Sequence, residues 1–248
     1  MLPFLKNHPF AVEAFFERSH VFTFAVPKNE IQHLIPPCLG LDTLNDQWAF
    51  IAVAMVQTKN LRPKGFPNFM GNDFFLIGYR VFVRYFNKAG KRLRGLYILK
   101  SETDKRKMEF FGNIFSHYKY ATTDIHQLKQ NGTLQISSAN SGFHVVVETK
   151  EMETIALPQG SPFQDWKEAR RFAGPLPFTF TYFPDTGRVL IIEGVKENWT
   201  PKPVHVIKYN FPLLNKMDFT ELKLANAFVI ENIPYYWKKG KQELWRAA

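Results

Sequence analysis

A chain of 248 residues, 45% apolar and 22% charged, has the make-up of an ordinary globular protein. One domain of that length buries roughly 70–75% of its unfolded surface, so it needs no metal to hold a core, and the single cysteine, Cys38, excludes an internal disulfide. The net charge of +10 admits anionic partners, but the basic residues fall in short separate clusters (88–94, 105–107, 167–171 and 238–241), which fits a solvated surface better than a nucleic-acid stripe.

No amino-terminal stretch combines a basic start, an apolar centre and a small-residue cleavage site. The longest apolar run, Trp48 to Val56, is far below the roughly 20 residues of a membrane helix. A cytoplasmic protein without membrane contact is expected. In chain order, Phe10, Ala14 and Phe15 are spaced for one face of a short helix within 9–18. Val21 to Val26 reads as a strand, Pro27 opens a helical turn that the pair Pro36-Pro37 stops, and Trp48 to Val56 reads as another strand. Cys38, between Pro37 and Leu39, reads as a small buried residue.

Asn72 to Phe86 alternates strongly, Asn87-Lys88-Ala89-Gly90 has turn chemistry, and Lys91 to Ser101 alternates again, which predicts a long hairpin. Asp104 is placed to cap a helix carrying Met108, Phe111, Ile114 and Phe115 on one side. Thr133 to Ser138 and Phe143 to Thr149 predict a second hairpin. Ser161-Pro162-Phe163-Gln164 has the form of a capping box, with Gly174 ending its helix. Phe178 to Phe183 and Arg188 to Val195 flank a Pro-Asp-Thr-Gly turn as a third hairpin, and Val204 to Tyr209 and Ala227 to Ile230 read as strands. No repeat, linker or low-complexity tract divides the chain. A single α+β domain over 1–248 is expected, mainly antiparallel, with its sheet curved or closed and a few flanking helices.

The chain lacks a phosphate loop, a Gly-x-Ser-x-Gly elbow, a His-Glu-x-x-His motif and paired cysteines, so nothing calls for a metal or cofactor. A turn over 87–90 puts Arg84 opposite Leu93 and Arg80 opposite Tyr97. Arg80, Phe82 and Arg84 then share a face with Tyr97, and two guanidiniums beside aromatic rings suit a carboxylate or phosphate. Such a face could equally meet solvent. A second constellation runs from Lys100 to Asp104 and on to Asn113, His117, Tyr118 and Lys119. Lys119, among Tyr118, Tyr120 and Phe115, would become a nucleophilic amine if desolvated, or snorkel if not. Glu102 is a candidate acid–base group. The 25 phenylalanines can enclose an apolar pocket or simply fill a core.

At these residues the sequence resembles a known family. Leu34-Ile35-Pro36-Pro37 with Leu39-Gly40-Leu41-Asp42, the hairpin Gly78 to Arg84 with Arg94-Gly95-Leu96-Tyr97, and Met108 to Tyr120 are similar to elements of the bacterial YqjF-like family of the acetoacetate decarboxylase-like superfamily. Weaker matches are Ser161 to Phe172 and Asn210-Phe211-Pro212-Leu213, so the likeness spans about residues 10–215. The resemblance implies a cone-like β-barrel with a central cavity. It also implies, as an enzymatic possibility, a lyase whose low-pKa lysine forms a Schiff base with a small keto acid. Where the decarboxylases have a glutamate followed by Pro-Lys-Lys, this chain has His117-Tyr118-Lys119-Tyr120, so an activating cation would have to come from Arg84 or Arg94 in space. The expected partner is a small, partly apolar anionic or carbonyl compound, bound by Arg80, Arg84, Tyr97, Asn113, His117 and Tyr118, with Lys119 and Glu102 as catalytic candidates. A noncatalytic ligand-binding module is the alternative.

Overall fold

Alternating stretches rich in β-branched and aromatic residues find antiparallel partners almost throughout, because a strand with one apolar face must bury it against another layer. The computed structural model describes residues 3–149, 155–174, 176–197 and 199–245. Its strands are β1 (Val12–Pro27), β2 (Gly40–Leu41), β3 (Trp48–Pro63), β4 (Asn72–Phe86), β5 (Arg92–Thr103), β6 (Tyr120–Thr122), β7 (His126–Gln130), β8 (Thr133–Ser137), β9 (His144–Glu148), β10 (Phe178–Phe183), β11 (Arg188–Lys196), β12 (Lys202–Pro203), β13 (Val206–Asn210), β14 (Lys223–Trp237) and β15 (Lys241–Leu244). The helices are α1 (Lys28–Ile31), α2 (Arg106–Phe115), α3 (Trp166–Phe172) and α4 (Pro212–Asn215). Among the described residues no helix is long and apolar enough to cross a membrane.

The large sheet runs β14-β1-β3-β4-β5-β10-β11, and β11 pairs again with β14 through Gly194–Lys196 and Tyr235–Trp237, closing a ring of seven strands. Only the β5–β10 contact within the ring is parallel. Closure leaves an inner and an outer face. The outer face carries Phe22 and Phe24 of β1, Ile51 and Val53 of β3, and Tyr79 and Val81 of β4. The small sheet β13-β9-β8-β7 and α4 cover it with Leu134, Ile136, Val145, Phe211 and Leu214. The inner face carries Ala25, Phe50, Ala52 and Phe82, against which Ala169 of α3 and Phe163 of the segment before it pack.

The structure changes several expected boundaries. Residues from 12 onward are not helical. They begin β1, paired with β14 on one side and β3 on the other, and this two-sided pairing outweighs the helix-like spacing of Phe10, Ala14 and Phe15. Asp104 does not cap α2: its carboxylate accepts from the Phe75 amide at 2.7 Å, tying β4 to the end of β5. The cap of α3 lies four residues beyond Ser161, at Asp165, which accepts from the Glu168 amide at 2.7 Å while Glu168 accepts from the Gln164 amide. Ser161 instead donates to the Ala225 carbonyl at 2.7 Å.

The first hairpin is present, but its register is one residue off the expected one. Phe86 pairs with Arg92, so the connection is the five-residue loop 87–91. Asn87 organises it by accepting from the amides of Ala89 and Lys91 at 3.1 and 2.9 Å, and Gly90 takes a left-handed φ of +71°. A one-residue slip flips every partner to the other face. Arg84 therefore faces Arg94, and Arg80 faces Ile98. Tyr97 pairs with Val81 and packs against the outer core, away from Arg80.

Candidate functional site

Along the inner face of β4 the side chains run Phe74, Leu76, Gly78, Arg80, Phe82, Arg84, because alternate residues share a face. Gly78 matters here. A Cβ at that position would stand 2.8 Å from Arg80 Nε and 3.0 Å from its Nη2, so the guanidinium folds back along the strand over the bare glycine. The side chains that surround Arg80 are Tyr235 on β14, Tyr120 on β6 and Tyr118 just before it. Strand β4 has neither β14 nor β11 for a neighbour, so Arg80 meets Tyr235 and Lys196 across the ring's interior rather than along its wall.

Two more glycines make room for this shell. A Cβ on Gly112 would lie 2.4 Å from the Tyr120 ring, and one on Gly194 would lie 1.8 Å from Tyr235 Oη. Tyr118 Oη and Thr179 Oγ1 of β10 are hydrogen-bonded at 2.8 Å. Asn113 fixes the chain at Tyr120 twice, donating to its carbonyl and accepting from its amide, each at 2.9 Å. Tyr235 is held between Phe16 and Trp237, with ring centroids 4.7 and 4.6 Å away. Burial raises the pKa of Tyr118, Tyr120 and Tyr235, so all three remain neutral phenols.

Arg80 is the electrostatic anomaly of the fold. Burial pulls its pKa below the ordinary value, yet a guanidinium stays charged at any physiological pH. Among the described residues no carboxylate pairs with it, and its Nε has no hydrogen-bond acceptor. Arg80, Tyr118, Tyr120 and Tyr235 all lie deep among protein atoms while retaining some accessible surface. Tyr118 and Tyr120 also line a pocket of about 500 Å³ whose wall includes Phe16, Phe74, Leu76 and Met108. His8 Nδ1 and Thr58 Oγ1, on two further wall residues, are buried without hydrogen-bond partners. A second pocket, of about 770 Å³, lies between α3 and the segment with Trp199, Asn226 and Phe228.

Lys196 ends β11 opposite Tyr235. Desolvation, and then the charge of Arg80, lower its pKa to about 7. Its Nζ sits 3.4 Å from the centroid of the Trp199 ring, a contact that favours the cation, but the two opposing effects are larger. The unfolded chain keeps this proton up to about 10.5 and the folded chain releases it near 7. Between those values the unfolded state binds more protons, so this group's penalty is full below about 7 and fades as pH rises. Lys196→Met is expected to raise stability by on the order of 1–3 kcal/mol near pH 6, with the gain vanishing toward about pH 10. Urea midpoints of the two proteins across that range check it. A gain independent of pH would show that the amine is not desolvated.

The remaining sequence candidates divide. Tyr118 joins Arg80, and Asn113 positions Tyr120. Arg84 shares the inner face but lies over Gly40, near Asp46, in a separate pocket of about 230 Å³ with Arg92, Arg94 and Arg171. His117 rests on Phe183 at 4.9 Å, its pKa lowered by burial and by Lys6. Glu102 is buried on the outer face, where Lys100 Nζ and Ser141 Oγ donate to it at 2.6 and 2.8 Å. Lys119 is exposed, with a left-handed φ of +54° between two tyrosines that both turn inward. Cys38 is buried, and its thiol is pushed up to about 12, which makes it inert. Sequence reasoning missed Tyr120, Tyr235, Thr179 and Lys196. Lys119 is left-handed and precedes β6, so the two inward rings do not follow from strand alternation, and no local pattern in the sequence marked the first.

Among solved structures, acetoacetate decarboxylase from Legionella pneumophila aligns with 95% of this chain and 88% of its own at 11% identity and a TM-score of 0.64. An acetoacetate decarboxylase-like enzyme from Sphingomonas wittichii RW1 aligns over 98% and 97% at 11% identity, with a TM-score of 0.55. The enduracididine biosynthesis enzyme MppR, complexed with pyruvate, aligns over 94% and 90% at 10% identity, also with a TM-score of 0.55. At such identities the likeness shows a shared acetoacetate decarboxylase-like fold. No curated protein sequence matches the chain. Residues 16–238 match the model of DUF2071, described as "Uncharacterized conserved protein (COG2071)", and the chain belongs to that family.

Proposed function

We propose that the interior of the ring binds a small, partly apolar anionic or carbonyl compound, with its negative group on Arg80. The observation that carries this reading is the buried guanidinium without a counter-ion among the described residues. Such a charge costs several kcal/mol unless something pairs with it, and an anion held by the planar guanidinium fork removes that cost. The partial exposure of Arg80 and of the tyrosines around it supports space that a small ligand could reach. One of the fold's structural neighbours was solved with pyruvate, which is a compound of this kind.

The enzymatic version assigns the amine to Lys196 rather than Lys119. With a pKa near 7, a large share of Lys196 is neutral at physiological pH. Its lone pair would attack a keto carbon and the oxygen would leave as water. In a β-keto acid the resulting iminium would take up the electrons of the bond between the α-carbon and the carboxylate, releasing carbon dioxide and leaving an enamine, whereas pyruvate would stop at the iminium. Incubation with pyruvate and borohydride, followed by mass spectrometry, tests this. The expected result is one reduced adduct, on a peptide containing Lys196, that is absent from Lys196→Met and present in Lys119→Ala. The exposure of Lys119 supports the second reading, a noncatalytic binding module. Calorimetric pyruvate binding through Arg80 with no lysine adduct would select that reading. Absence of any anion binding would reject both.

A further inference from the structure

The 500 Å³ pocket and the Arg80 shell share two residues, Tyr118 and Tyr120, and are joined along one strand. On β4 the pocket wall at Phe74 and Leu76 passes through the bare Gly78 to Arg80, about 13 Å from Leu76 to Arg80 at normal strand rise. The guanidinium leans back over Gly78, toward the pocket. The wall is mainly apolar, with Phe16, Phe74, Leu76 and Met108, and its one guanidinium, Arg62, is already paired with Glu13 at 2.8 Å. At the edge, wall residues Met70 and Phe111 are 43% and 41% exposed, and their neighbours Phe69 and Phe110 are 87% and 62% exposed. Exposed aromatic side chains bunched at a pocket rim mark a ligand entrance more than they mark chance. A volume of about 500 Å³ falls within the roughly 300–1,000 Å³ typical of sites for drug-sized ligands, more than a three-carbon keto acid needs.

We infer that the ligand is an amphiphilic anion: its carboxylate or equivalent head pairs with Arg80 over Gly78, and its hydrocarbon or aryl tail fills the pocket that opens between Met70 and Phe111. This rests on the proposed binding of an anion at Arg80 and specifies its class. Apolar ligands enter past the phenylalanine rim, and Tyr118 and Tyr120, kept neutral, stand where tail gives way to head.

Isothermal titration with acetate, butyrate, octanoate and octan-1-ol tests it. Octanoate is expected to bind at least about 30-fold tighter than butyrate, short of the roughly 200-fold that four fully buried methylenes would give. Arg80→Met should lose both acids. Phe111→Asp, a change at an exposed site, should weaken octanoate about tenfold and leave acetate unaltered. Gly78→Ala, which displaces the guanidinium, should weaken all the acids together. Equal affinity for butyrate and octanoate, both dependent on Arg80, would overturn the amphiphile while leaving anion binding intact. Octan-1-ol binding as tightly as octanoate would also overturn it, by removing the head group's role. Failure of every acid to bind would reject the anion reading itself, and this inference with it.

Discussion

Arg80→Met is expected to make the free protein more stable while abolishing its affinity for anions. In most folds, truncating an arginine loses an ion pair. Here the charge is desolvated without a partner among the described residues, so the side chain is a net cost to the free protein. Methionine has a similar reach, no charge and the flexibility to fill the space over Gly78. Replacement of buried ionic groups by apolar ones of similar volume stabilises by on the order of 1–4 kcal/mol. The partial exposure of Arg80 places the expected gain toward the lower end of that range. Binding should fall by at least about 30-fold, since a buried charge-assisted pair contributes on the order of 2–5 kcal/mol. Urea melts and calorimetry on the same samples read both effects. Stability and affinity falling together would mean that Arg80 is a structural ion-pair member after all. The trade of stability for function is what a preorganised site requires.

Phe211→Ala is expected to cost about 3–5 kcal/mol, because the cavity left by a buried ring cannot collapse among neighbours this large. Phe211 is 1% exposed and meets Phe22, Phe24, Tyr79 and Tyr209 with centroid distances of 5.9, 5.7, 6.4 and 6.4 Å. It stands at the junction of β13 and α4, where the small sheet is pinned to the outside of the ring. The loss should appear as a lower urea midpoint. Anion affinity of the folded fraction should survive, since Arg80 projects from the opposite face of β4. A cost below about 1 kcal/mol would mean that the small sheet contributes little to holding the ring. Affinity lost along with stability would mean that the two faces are not independent.

What the sequence revealed follows from which contacts are local. The hairpins β4–β5, β8–β9 and β10–β11 were legible because strands facing a core on one side alternate and their turns carry Gly, Asn or Pro. Strands β1 and β14 were each seen only as a fragment. Both are covered on two faces around the ring, and their burial pattern loses the period of two. The expected turn at 87–90 was one residue short because the side chain of Asn87 spans to Lys91, and that alone moved Tyr97 off the arginine face.

The site was half legible. Arg80 could be read from alternation, and Tyr118 and Asn113 from their proximity to the end of α2. Lys196 could not. Its burial and lowered pKa exist only because β11 meets β14, placing Lys196 opposite Tyr235. Lys119 misled because aromatic neighbours in sequence suggest desolvation, whereas its left-handed turn just before β6 leaves it exposed between two inward tyrosines. Arg84 is on the expected face, but four residues further along β4 it lies in a different, arginine-rich pocket.

The most direct measurement is the ¹H–¹⁵N resonance of Arg80 Nε. Buried and without an acceptor, that N–H should exchange slowly with water and stand apart from the surface arginines, and it should vanish in Arg80→Met. Saturating octanoate or pyruvate should move it downfield as a carboxylate comes to accept its hydrogen bond. A resonance that stays in place at saturating anion, or that exchanges as fast as those of exposed arginines, would contradict an anion site inside the ring.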